Sequence, residues 1–187
     1  MEVHVCDVND RVGLASHKAL AAQNKRHVIE LHGMSNGVTA MVEKVVKEAA
    51  NSPTGMIDKL AIWGHGGSGS VGLSRGEESA RNADWAGIDI ENLIDPTLDA
   101  DGEGKGERMR ATLRKLWDVL SWGGMVELRG CDVAKGVRGQ QFLTVLATIW
   151  EVRVRAGLRH AVRPQLGLGG DGSRSETRHE RHHHLPG

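Results

Sequence analysis

The stretch Lys59-Leu-Ala-Ile-Trp-Gly-His-Gly-Gly-Ser-Gly-Ser70 changes character half-way along. Leu60 to Trp63 is a short apolar run suited to a buried strand, and Gly64 to Gly69 is a glycine-rich turn that carries one histidine, His65. The glycines spell G-x-G-x-x-G, the fingerprint of loops that cradle a pyrophosphate. That fingerprint works only where a helix starts inside the loop and points its N-terminus at the phosphate. Here the chain continues Ser70-Val-Gly-Leu-Ser-Arg-Gly-Glu77, with no helical period, and the Gly-Lys-Ser/Thr ending of a P-loop is absent. A nucleotide-binding α/β protein is therefore the weaker reading. The residue of chemical interest is His65, with the other glycines expected to keep a cleft open around it.

Outward from this stretch, strand and helix patterns alternate. Residues 3–6, 26–32, 56–63, 125–128 and 151–155 read as strands. Residues 11–23, 110–122 and 139–150 read as helices. In the helix over 38–49, Val38, Met41, Val42, Val45, Val46 and Ala49 recur on one face, with Ser35 or Asn36 as its N-cap. This order predicts an α/β three-layer sandwich around a mainly parallel central sheet. In such sheets ligands gather at the carboxyl ends of the strands, where both Gly64–His65 and Gly130–Cys131 fall. Residues 66–106 are rich in Gly, Asp, Glu and Ser and read as a mobile surface loop. Residues 1–160 are expected to form the domain, and 161–187 a disordered Gly/Arg/His-rich tail.

Bulk properties narrow the function classes. Hydrophobic residues are 39% and charged residues 26% of 187 positions, the composition of an ordinary globular domain. Twenty-four basic residues balance twenty-four acidic ones, which argues against a dedicated nucleic-acid binder. No apolar run is long enough to cross a membrane as a helix. The start MEVHVCDVNDR lacks the pattern of a secretory signal, so a cytoplasmic location is the default expectation, with export as part of a larger protein the alternative. The two cysteines, Cys6 and Cys131, are far apart and belong to no C-x-x-C pair, so neither a disulfide framework nor a structural zinc site is expected. Cys6, within a strand, reads as core.

A second feature is Val126-Glu-Leu-Arg-Gly-Cys-Asp-Val-Ala-Lys-Gly136, an apolar strand that delivers Cys131 into a tight polar turn. Alone, a cysteine after a strand is a small hydrophobe, and a histidine after a strand a satisfied polar group. Paired, they suggest more. A thiol nucleophile needs an imidazole close in space, and the partner usually comes from a different part of the sequence.

Strand then His-Gly, followed by strand then a cysteine turn, resembles the caspase-like cysteine peptidases (clan CD), the group of caspases, metacaspases and gingipains. LAIWGHGGSGSVGL, LRKLWDVLSWGGMVEL and VELRGCDVAKGVRGQQFLTVLATIWEVRVRAG most resemble the caspase-like domain of unknown function found near the N-termini of large bacterial surface and adhesin-type proteins. The likeness covers about residues 26–160. It implies hydrolysis of a polypeptide substrate by a Cys–His dyad, with His65 as general base and Cys131 as nucleophile. The backbone N–H groups of Gly66 and Cys131 would form the oxyanion hole, and Arg129 and Asp132 would meet the substrate. Arg129, two before the nucleophile, occupies a position that shapes the P1 pocket in several such enzymes. The surface-protein domains usually carry an aromatic residue there. The resemblance equally fits a catalytically silent module that binds or marks a precursor. It implies no cofactor and no catalytic metal.

Lesser signals are read as compositional. Asp95, Asp99, Asp101 and Glu103 suggest a calcium loop, but the EF-hand register would need glutamate where Arg108 stands. His179, His182, His183 and His184 lie in the expected tail. His32-Gly33 repeats the strand-then-His-Gly pattern and makes His32 a rival base.

Overall fold

The structure, a computed structural model, describes residues 1–33, 35–74, 85–97, 102, 104–156 and 160–162. In chain order these form β1 (Glu2–Asp7), α1 (Arg11–Ala22), β2 (Val28–Leu31), α2 (Gly37–Ala49), β3 (Ile57–Trp63), β4 (Gly66–Gly67), β5 (Ser70–Gly72) and β6 (Gly87–Asp89). There follow α3 (Ile90–Ile94), α4 (Lys105–Arg114), a 3₁₀ turn (Trp117–Val119), β7 (Leu120–Arg129), α5 (Gly136–Trp150), β8 (Arg153–Ala156) and β9 (His160–Val162). Six strands make the central sheet in the order β2-β1-β3-β7-β8-β9. The first five are parallel and β9 runs antiparallel at the edge. The α/β architecture expected from the sequence is the one observed.

Local chemistry explains the elements. Asp10 caps α1, its carboxylate accepting from the Val12 and Gly13 N–H groups. Asn36 stands at the N-cap of α2 without a side-chain hydrogen bond. The face of α2 read from the sequence is buried through Val38, Met41, Val42, Val45 and Ala49. α5 ends where Glu151 turns left-handed at φ 53°, and β8 then begins two residues later than expected.

The right-handed crossovers put α1 on one face of the sheet and α2, α4 and α5 on the other. The two faces differ sharply. Toward α2, α4 and α5 point Val3 and Val5, Leu60 and Ile62, Val126 and Leu128, and Val154 and Ala156, all buried. The same registers put Glu2, His4, Lys59, Trp63, Glu127, Arg129, Arg153 and Arg155 on the α1 side. The core is therefore one-sided. It gathers Phe142, Leu143, Leu146 and Trp150 of α5 with Met109 and Leu113 of α4, and the Trp150 indole donates to the Leu113 carbonyl at 2.9 Å.

Several local expectations change. Of residues 66–106, read as one loop, the described part holds β4, β5, β6, α3 and the start of α4, with β4-β5-β6 forming a small antiparallel sheet. The expected helix over 110–122 starts at Lys105 and stops at Arg114. Leu120 already belongs to β7, whose register with β3 shifts past Ser121 to Gly124. The glycine pair there interrupts the pairing instead of ending a helix. β9 extends the sheet to Val162, just beyond the expected domain limit. Asp99, Asp101, Glu103 and the tail histidines lie outside the described residues, as does residues 163–187 of the expected tail.

Candidate active site

β3 and β7 are neighbouring parallel strands, and the last registered pair at their carboxyl ends is Trp63 opposite Arg129. Two residues further along each chain stand His65 and Cys131. Both are exposed. This is the end of an open parallel sheet where two loops leave side by side.

Backbone contact fixes how the loops meet. A Cβ placed on Gly66 would lie 2.6 Å from the Cys131 carbonyl oxygen and 2.9 Å from its nitrogen. One placed on Gly130 would lie 2.9 Å from the Gly66 Cα. The two chains therefore touch main chain to main chain, and only glycine permits that approach. The sequence reading gave the glycines of the loop other than Gly66 the purpose of holding a cleft open. Gly64, one of these, packs against the Gly72 carbonyl, where a Cβ would lie 2.1 Å from the oxygen.

Hydrogen bonds fasten the same pair of loops. Beyond His65 the chain folds into the β4–β5 hairpin, with the Gly72 N–H donating to the His65 carbonyl at 2.7 Å. At the hairpin tip the Ser68 hydroxyl donates to the Lys135 carbonyl at 2.6 Å, and the Gly69 N–H donates to the Val133 carbonyl at 3.0 Å. Arg138, in the first turn of α5, pairs with Glu91 and Asp89. None of these partners was singled out from the sequence, because a two-residue strand such as Gly66–Gly67 leaves no period to read.

Other expected residues take defined places. Asp132 adopts φ 56°, a left-handed conformation that a short polar side chain tolerates, and so turns the chain directly after Cys131. Its exposed carboxylate lies 3.3 Å from the Lys135 ammonium. Arg129 stacks its guanidinium 4.3 Å from the Trp63 ring centroid and donates to Glu127 at 2.6 Å. Lys59 and Arg155 approach the same carboxylate at 3.4 and 3.0 Å. Burial would raise the Glu127 pKa, but the Arg129 hydrogen bond and the charges of Arg129, Arg155 and Lys59 outweigh it and hold the group below its ordinary value. Glu127 was missed in sequence, although a glutamate between Val126 and Leu128 was the visible sign of a polar sheet face.

His32, the rival base, directly follows β2, which lies three strand positions from β7. At the usual inter-strand spacing that is about 14 Å, and its ring is paired with Glu30 at 3.0 Å. It belongs to another part of the surface. Cys6 is fully buried in β1, and burial, with the charge of Glu30, pushes its thiol up to about 12. Among the described residues, no three His, Cys, Asp or Glu side chains are grouped to hold a metal ion. No described helix is long and apolar enough to cross a membrane.

Residues 8–171 match the family described as Domain of unknown function (DUF4347). The chain belongs to the DUF4347 family. No curated protein and no solved structure matches it. In this DUF4347 domain the match takes in both strand-end loops and every element from α1 to β9.

Proposed function

We propose that this DUF4347 domain is a caspase-like cysteine peptidase whose nucleophile is Cys131 and whose general base is His65. The observation that carries the proposal is the register of β3 and β7. Its last pair is Trp63–Arg129, two residues before His65 and Cys131, and just beyond it the Gly66 backbone is held against Cys131. His65 takes the Cys131 thiol proton as the sulfur attacks the scissile carbonyl carbon. The developing oxyanion is met by the N–H groups of Gly66 and Cys131. Collapse of the tetrahedral intermediate breaks the C–N bond, and His65 returns the proton to the leaving amine. A thioester remains on Cys131, and water activated by His65 releases the second product.

Arg129 supports an acidic P1 residue. Three cations surround the single Glu127 carboxylate, so positive charge is left over to meet an incoming carboxylate, aided by charge-assisted hydrogen bonding. Asp132, at the outer edge of the same turn, would contact the peptide backbone. Incubation with fluorogenic peptide libraries tests the reading. Release is expected from the wild type and not from Cys131→Ala or His65→Ala. Failure of the wild type to cleave or to react with electrophilic peptides would favour the silent binding module.

A further inference from the structure

Arg129 is held by a short chain of contacts that runs back into β1. Its guanidinium lies 4.3 Å from the ring centroid of Trp63, its cross-strand partner, and bonds to Glu127 at 2.6 Å. Its Nε–H is buried without an acceptor, so the Trp63 face and the Glu127 carboxylate together set the plane of the group. Trp63 is fixed in turn from β1. Its indole N–H donates to Nδ1 of His4 at 3.3 Å, with the two rings 6.4 Å apart and tilted by 36°. His4 is only 4% exposed.

This hydrogen bond exists in one protonation state of His4. An indole nitrogen only donates, so Nδ1 must be the bare nitrogen of a neutral ring whose proton is on Nε2. A proton taken from solvent at Nδ1 would set two N–H groups against each other. The groups around the ring pull in both directions. The Glu2 carboxylate, 3.4 Å from Nε2, favours the cation, and Lys59 of β3, Arg129 of β7 and Lys25 after α1 oppose it. The stretch of α1 beside the ring, Ala15, Ser16, Ala19 and Leu20, carries no charge. His27, before β2, is paired with Glu48 of α2 at 2.7 Å. Burial is the largest influence and holds His4 below 6.5. The bond is therefore intact at neutral pH and lost in acid. A cleft of about 550 Å³ beside α1 is lined by His4, Trp63 and Arg129 among others, which gives a released indole room to move.

We infer that Trp63 is a positioning residue for Arg129, and that His4 makes this support sensitive to protonation: neutral, it holds the indole under the guanidinium, and protonated, it releases both. The consequence for a substrate rests on the peptidase reading, in which Arg129 meets an acidic P1 side chain. There, selectivity for an acidic P1 residue weakens as His4 gains its proton.

The test follows the proton–nitrogen NMR signals of the Trp63 indole and the Arg129 Nε–H in the full chain from about pH 8 to pH 5. Both are expected to move in one step with a shared midpoint below 6.5, matching that of the His4 ring. Both should stay fixed in His4→Gln, whose amide oxygen keeps an acceptor without titrating. If that variant fails to fold, the coincidence of the three midpoints in the wild type decides. Signals that stay fixed in the wild type, or still step in His4→Gln, overturn the inference. For a substrate, the ratio of kcat/KM for P1 Glu over P1 Gln peptides is expected to fall roughly three- to tenfold in folded Trp63→Leu, through KM with kcat unchanged. An unchanged ratio overturns the positioning role. A wild type that cleaves neither peptide refutes the peptidase reading instead, and the NMR signals still decide this inference.

Discussion

Gly66 and Cys131 are joined by direct backbone contact, with no room for a Cβ between them. This contact aligns the loop after β3 with the loop after β7, and it fixes the N–H groups proposed to receive the oxyanion. Gly66→Ala is expected to force the loops apart at a cost of about 1–3 kcal/mol, as overpacking does elsewhere. The midpoint of urea unfolding measures this. Gly55→Ala provides the contrast, since nothing lies within 4 Å of a Cβ there. Its positive φ alone makes it strained, so it separates conformational strain from collision. A Gly66→Ala penalty no larger than that of Gly55→Ala would remove the contact from the account.

The two cysteines are expected to behave oppositely. Cys131 is exposed, whereas Cys6 is buried with its thiol pushed up to about 12. At neutral pH iodoacetamide should modify Cys131 alone in the folded chain and both after unfolding. Peptide mass spectrometry distinguishes them. Labelling of Cys6 in the folded protein would contradict the packing of β1.

Glu127 ties stability to pH. Its folded-state pKa lies below the ordinary value of 4.5, so its contribution is present above that pH and is lost as pH falls through the folded value. His4 works at a higher pH: burial lowers its pKa from 6.5, so the folded ring resists a proton that the unfolded chain accepts, and stability falls as pH drops below that value. Glu127→Gln is expected to cost about 2–3 kcal/mol at neutral pH, because the cations lose their common partner. The gap from wild type should narrow toward pH 4 in thermal melts. A constant gap across the range would mean that the carboxylate charge is not what matters.

Much of this was legible in sequence because apolar periodicity is a local property. The face of α2 could be read from Val38 to Ala49, and the placing of His65 and Cys131 just past the ends of two strands could be read from the apolar runs before them. What escaped was chemistry created by neighbours. Glu127 is one charged residue in an apolar strand until Lys59 and Arg155 arrive from other strands. The bonds from the Ser68 hydroxyl to the Lys135 carbonyl and from the Gly69 N–H to the Val133 carbonyl join atoms far apart in the chain, which no residue pattern announces. Leu116 and Trp117 continued a helical period, yet Gly123 and Gly124 mark an interruption within β7.

Arg129 should govern specificity if the peptidase reading holds. Cleavage after Asp or Glu is expected in the wild type, and Arg129→Ala is expected to reduce kcat/KM for those substrates by roughly 10–100-fold, the loss of a charge-assisted pair. Peptide-library profiling decides this. Cleavage only after Lys or Arg would be incompatible with the assignment.

The most direct test of the dyad is the rate at which a peptidyl acyloxymethyl ketone inactivates Cys131 in the wild type and in His65→Ala. The account predicts covalent labelling at Cys131 that slows by about 10²–10⁴-fold in the variant, the range general-base assistance supplies. Equal rates in the two proteins, or no labelling of Cys131 in either, would contradict it.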